Sequence, residues 1–214
     1  SVDQTTDTPT NNFCTMNPIL GNLYPTTFSE GNLEVRMSGD SDQATTHGTF
    51  AVNKGVWYWE VKFTGGTTVG GRNVGIQVPQ LTNVHTEFTY NQTGSIMFYN
   101  NDGGEIWHEG SATTADYGLF AQNDIIGISL DMDNNNISFY KDDAEIIDDF
   151  SLGGAANQYC TPALVWPSTT ASGSEMAVNF GNPIHSLSSA VADANGYGSF
   201  EYTPVGLALC TKNL

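Results

Sequence analysis

About ten short stretches of this chain alternate apolar and polar side chains with a period of two, and turn residues separate them. That period belongs to strands with one face on a core, and it leaves little room for helices, whose apolar positions recur every three or four residues. The clearest stretch is Val56-Trp57-Tyr58-Trp59-Glu60-Val61-Lys62-Phe63. Trp57, Trp59, Val61 and Phe63 share one face, and Glu60, Lys62 and the polar edge of Tyr58 take the other. Leu33–Met37, Thr49–Val52, Val74–Val78, Ser95–Tyr99 and Glu105–His108 read as further strands, the last two joined by the hairpin signal Asn100-Asn101-Asp102-Gly103-Gly104. Asp124–Asp131 holds an apolar run that suits a strand buried on both faces. It turns at Asp133-Asn134-Asn135-Asn136 and returns antiparallel as Ile137–Tyr140. Residues 160–166 and 175–180 supply the last strands, and only Ser186–Ala194 looks helical. The pattern predicts an all-β fold of two packed antiparallel sheets.

A length of 214 residues fits one domain. Residues 1–31 are polar and turn-rich and read as an extended N-terminal arm anchored by Phe13, Met16, Ile19 and Leu20. Residues 32–182 form the sandwich, and 183–214 a C-terminal segment packing on it or on neighbours. The chain begins at Ser1 rather than Met, as a processed product or a piece of a longer protein would. The net charge of −17, from 23 acids against six bases, argues against nucleic acid and anionic membrane surfaces, since both are bound through Lys and Arg. No apolar run is long enough for membrane insertion as a helix. Cys14, Cys160 and Cys210 have no metal or redox spacing; three buried free thiols are expected ahead of one disulfide and a spare thiol.

No motif nominates catalytic residues, a metal site or a cofactor. Asp131, Asp133, Asn135 and Asp142 imitate a calcium loop, but its sixth position is Asn136 where the sharp turn needs Gly, and a strand pattern follows. The acids Asp142, Asp143, Asp148 and Asp149 read as a solvated loop. His47, His85, His108 and His185 are scattered, no serine sits in a nucleophile elbow, and Val69-Gly70-Gly71-Arg72 lacks the Lys-Ser/Thr of a phosphate loop. Trp57 and Trp59 are core. Trp107 beside His108, Trp166, Tyr90, Asn101 and Asp102 are the binding candidates, because aromatic rings next to Asn/Asp-rich loops suit sugar or protein surfaces.

Several segments together resemble the SPRY domain. Gly55-Val56-Trp57-Tyr58-Trp59-Glu60-Val61 is similar to its opening signature, and Asn73-Val74-Gly75-Ile76 to the strand that follows. Asp124–Asp133 and Ile137–Asp142 resemble the family's hairpin, although Asp142-Asp143 replaces the usual Asn-Gly and implies a loop of different shape. Pro162–Val165 and Val178–Gly181 resemble its last strands. The resemblance implies a bent, jelly-roll-like sandwich that binds partners through loops, here 38–47, 79–93, 100–104, 110–117 and 167–174. The flanks, Asp7–Pro18 and Gly196–Leu214, are similar to segments around SPRY modules in tailed-phage structural proteins. That likeness implies a non-catalytic, homo-oligomeric (trimeric) subunit of a virion. Its partners would be other virion proteins and a host-surface glycan or protein. A carbohydrate-binding sandwich or a eukaryotic-type SPRY adaptor is the alternative.

Overall fold

Trp57, Trp59, Val61 and Phe63 all point into one apolar core, as their alternation requires, and the strand that carries them is central to the larger of two sheets. The computed structural model describes residues 10–21, 26–37, 44–66, 72–79, 93–100, 103–113, 115–166 and 174–214. Its first strands are β1 (Met16–Gly21), β2 (Thr26–Ser29), β3 (Glu34–Met37), β4 (Ala44–Gly48), β5 (Val56–Gly65) and β6 (Asn73–Gln77). There follow β7 (Ser95–Tyr99), β8 (Glu105–His108), β9 (Ser111–Ala112), β10 (Ile125–Asp131), β11 (Asn136–Lys141) and β12 (Ala144–Ser151). The last are β13 (Thr161–Trp166), β14 (Glu175–Asn179), β15 (Val191–Ala192), β16 (Ser199–Phe200) and β17 (Leu207–Ala208).

One sheet has seven strands in the order β1-β4-β13-β6-β7-β8-β9. The other has eight, β12-β11-β10-β5-β14-β3-β2 with β17 beside β5. All pairings are antiparallel except that of β17 with β5. The inner faces meet in one cluster: Val74, Ile76, Phe98 and Leu164 from the smaller sheet face Trp59, Val61, Ile128 and Phe139 from the larger. Phe98 stacks on Phe120 at 4.3 Å and tilts against Phe139 at 5.8 Å. Each such side chain contributes about 1.5–3 kcal/mol of burial, so the cluster is the main source of stability.

Several expectations are corrected. The strand expected at Thr49–Val52 lies instead at Ala44–Gly48, over the end of the expected 38–47 loop, and Val52 makes only a bridge to Cys160. Thr45, Thr46 and His47 are buried on both faces between β1 and β13, so no apolar alternation marks them. Ser186–Ala194 forms no helix. The acidic stretch expected as a loop is the edge strand β12, with Ile147 turned inward and its carboxylates toward solvent. Asp142 and Asp143 both take positive φ, 48° and 73°, and keep the two-residue turn that Asn-Gly favours rather than changing its shape. Two strands lie within residues 1–31. Phe13 and Met16 are buried, but Ile19 projects outward at 88% exposure, and the Leu20 side chain lies outside the described residues.

The second face of β5 is also buried. Tyr58 meets Phe200 edge-on at 5.1 Å, and Leu207-Ala208 pairs alongside Trp57-Tyr58 where β14 has ended. The C-terminal segment comes this close because residue 181 is Gly: at φ 113°, a Cβ there would lie 2.8 Å from Ala208 Cβ. All three cysteines are free and buried, and burial pushes the thiols of Cys14 and Cys160 up to about 11 and about 12, which keeps them unreactive.

His47 supplies a pH prediction. It is 2% exposed, its Nδ1 has no hydrogen-bond partner, and burial pulls its pKa from 6.5 to about 4. A base whose folded pKa is depressed stabilises fully above its unfolded pKa, and that contribution is lost as pH falls toward the folded value. Stability is therefore expected to fall by up to about 3 kcal/mol through this residue between pH 6.5 and about 4. Urea unfolding of His47→Leu against the wild type across that window checks it, and the variant should lose less.

Candidate interaction site

The strand period that builds β8 also separates two of the expected binding residues. Met97 pairs with Trp107 and Ile96 with His108, so the two side chains point to opposite faces. Trp107 lies on the outer face of the smaller sheet, in one row with Met97, Gly75, Ala163 and His47. It is half-buried and tilted against Tyr99 at 5.6 Å. His108 turns inward, its ring edge on Phe150 at 5.7 Å and its Nε2 3.9 Å from the Glu109 carboxylate. A Cβ on Gly153 would collide with the imidazole, so this residue fills a packing position.

Trp166 ends β13 opposite Ala44, three strands from β8, or roughly 14 Å at the usual interstrand spacing. Its side chain and residues Tyr90, Asn101 and Asp102 lie outside the described residues. Among the described residues, the expected set therefore forms no single patch.

The registers do gather something else. Met37, Ala44, Gly65, Asn73, Tyr99, Glu105, Trp166 and Glu175 are eight strand ends from both sheets, and they converge on one pole. The connections 38–43, 67–71, 101–102 and 167–173 start and finish there. The described part of this pole is held by polar contacts. Asn100 pairs with both main-chain groups of Phe120, donating from Nδ2 to its carbonyl (3.2 Å) and accepting its N–H at Oδ1 (2.7 Å). Lys141 Nζ sits 2.8 Å from Asp124 and donates to the Leu119 carbonyl at 2.9 Å, leaving the Leu119 side chain exposed. Arg72, buried, donates from Nε to Ser174 Oγ (3.2 Å) and lies 5.5 Å from the Phe63 ring centre. Burial lowers the Arg72 pKa. Sequence reasoning weighed Arg72 only as part of a failed phosphate loop; the signal available was a lone cation in a glycine-rich link.

At the opposite pole a cleft of about 490 Å³ has Trp57 at its base. The indole N–H donates to the Lys54 carbonyl (2.7 Å), and the Asp133 carboxylate accepts the Gly55 N–H (2.8 Å). Tyr159 and Leu214 stand exposed on its rim. Among the described residues no cluster of His, Cys, Asp and Glu is placed to hold a metal ion.

A SPRY domain family model matches residues 56–183. Among solved structures, the SPRY domain of human HERC1 is 17% identical with a TM-score of 0.62, covering 80% of this chain and 99% of that one. The TRIM65 PSpry domain is 18% identical (TM-score 0.59, 78% and 92% covered), and a human SPRY domain 16% identical (0.51, 68% and 90%). No curated protein matches the sequence. At these identities the likeness to the solved structures is one of fold.

Proposed function

The chain belongs to the SPRY family of protein-interaction modules, and we propose that it is a non-catalytic recognition subunit of a virus particle that binds a protein partner through the loop pole. The convergence of eight strand ends from both sheets carries the first part of this reading. Paired sheets hold the loop bases, and loops on such a scaffold are where recognition concentrates. The negative charge favours a partner that presents Lys and Arg. The virion setting rests on the likeness of the two flanks to segments of tailed-phage structural proteins. A homo-oligomer, with other virion proteins and a host-surface molecule as its partners, follows from that setting.

Photo-crosslinking tests both parts. A crosslinking residue placed at Asp102 or Leu119 is expected to capture a virion or host-surface protein, and one at Tyr159, at the far pole, to capture none. Capture only from position 159 would overturn the assignment of the surface. Capture of a cellular signalling protein alone would overturn the virion setting in favour of an adaptor. Light scattering on the purified chain is expected to give a trimer, and a monomer would remove the oligomer from the reading.

A further inference from the structure

Three large apolar side chains stand out from the rest of the described surface: Ile19 is 88% exposed, Leu214 60% and Tyr159 58%. Exposed apolar residues scattered singly are ordinary. These are not scattered. Two of them stand on the rim of one hollow, the cleft of about 490 Å³ over Trp57, and the third is held out from the sheet edge on a fixed turn.

The turn explains why Ile19 projects. β1 is the edge of the smaller sheet, and its register against β4 runs from Met16 opposite Gly48 to Gly21 opposite Thr46. β1 thus advances five residues (16 to 21) while β4 moves two (48 to 46), and the surplus bulges from the edge. Asn17 fixes the bulge: its Oδ1 accepts the Ile19 N–H (2.9 Å), and its carbonyl accepts the Thr46 hydroxyl (3.2 Å). With that N–H engaged and Pro18 lacking one, this edge offers little to a strand that would pair with it. What it offers is one branched apolar side chain, held in place before anything binds.

The cleft has the matching chemistry. Val52, Trp57 and Leu207 give it apolar walls. Its charges are one base, Lys54, and one acid, Asp133, whose carboxylate already accepts the Gly55 N–H at 2.8 Å. Charge selects the occupant. A chain of net charge −17 repels its own copies, so copies meet most readily where unbalanced acids are absent. No charged residue occurs from Thr8 to Ser29, the stretch that carries Ile19, and the two charges of the cleft cancel. Knob and hollow lie on different parts of the chain, the sheet edge and the Trp57 pole. A contact between them is therefore heterologous: each copy gives Ile19 to one neighbour and its cleft to the other. Such a contact closes into a ring when the rotation between copies divides a full turn. We propose that Ile19 of one copy seats in the Trp57 cleft of the next and thereby builds the trimer. This inference rests on the homo-oligomer of the proposed function and supplies its contact. The loop pole takes no part, and the one protein met at position 159 is this chain itself.

The test is light scattering on the full chain and on two variants at exposed positions, Ile19→Asp and Tyr159→Asp. The wild type is expected to be a trimer and each variant alone a monomer at the same concentration, with self-association weakened by about thirtyfold or more. Mixed one to one, the variants are expected to form a dimer, because Ile19→Asp keeps its cleft and Tyr159→Asp keeps its knob. That dimer also shows both variants to be folded. A wild-type trimer that survives both substitutions overturns this contact and leaves the oligomer standing, whereas a wild-type monomer removes both. A mixture that stays monomeric overturns the pairing of knob and cleft. None of these results alters the crosslinks expected from positions 102 and 119.

Discussion

Replacing Glu60 with alanine is expected to cost about 3–4 kcal/mol of folding stability, read as a lower urea midpoint with an unchanged slope. The carboxylate is 2% exposed, in the middle of β5. Its Oε1 accepts the Tyr202 N–H at 2.9 Å, and its Oε2 accepts the Glu201 N–H at 3.0 Å and the Asn179 amide at 3.1 Å. The Tyr58 hydroxyl donates to Oε1 at 3.4 Å. Removing the acceptor strands buried donors on two segments at once, each costing about 1–3 kcal/mol, partly offset by no longer burying a charge. Glu60→Gln is expected to cost about 2 kcal/mol, because its NH₂ must face an N–H that now meets an oxygen.

Burial pushes the Glu60 carboxyl above its ordinary value, against the pull of these donors. An acid raised in this way contributes most to stability at low pH, and the contribution falls as pH rises from the unfolded value near 4.5 toward the folded one. The deficit of Glu60→Gln relative to wild type should therefore be larger near pH 4 than near pH 7, and a pH-independent deficit would refute the assignment.

Asp193→Ala is expected to cost about 3 kcal/mol and to release the C-terminal segment before the sandwich unfolds. Its Oδ1 accepts the N–H groups of Tyr197 (2.8 Å) and Gly198 (3.0 Å). Its Oδ2 accepts the Ala208 N–H (3.0 Å) and the Asn213 amide (2.9 Å). One side chain thus ties a turn, a strand and the last residues together. Desolvation pushes this carboxyl up, but the four donors outweigh it and hold the pKa below the usual value. A depressed acid stabilises above its unfolded pKa, and that stability is lost as pH falls through the folded value, so the loss belongs below about pH 4. Hydrogen exchange reads the local effect. The amides of Tyr197, Gly198 and Ala208 should lose protection in Asp193→Ala while those of Val61 and Ile128 keep theirs; uniform loss across both sets would show no separable segment.

These clamps mark the boundary of what the residue pattern discloses. The strands at 56–65, 95–99, 105–108, 125–131, 136–141, 161–166 and 175–179 are legible because one or both faces are continuously apolar, and burial follows directly from that. β4 is not legible, since its side chains are polar yet buried between neighbours. β12 is hidden for the opposite reason: as an edge strand it needs only one inward apolar row, and its acids outnumber that signal. Glu60 reads as a solvent position because alternation assigns a polar residue outward. Only the return of residues 199–208 across that face, more than a hundred residues along the chain, makes it internal. Trp107 and His108 are adjacent in sequence, and the same period-two rule that identifies their strand puts them on opposite faces.

The all-β class, the SPRY-like order of strands and the inward Trp57–Phe63 face are written in the residue pattern alone. Only the folded chain sets which strand ends share a pole, and that β2 and the C-terminal flank lie with the larger sheet while β1 joins the smaller. The physical reason is range. Periodicity reports what one residue and its near neighbours require, whereas a loop pole, a buried carboxylate and a cleft depend on which distant segment arrives opposite.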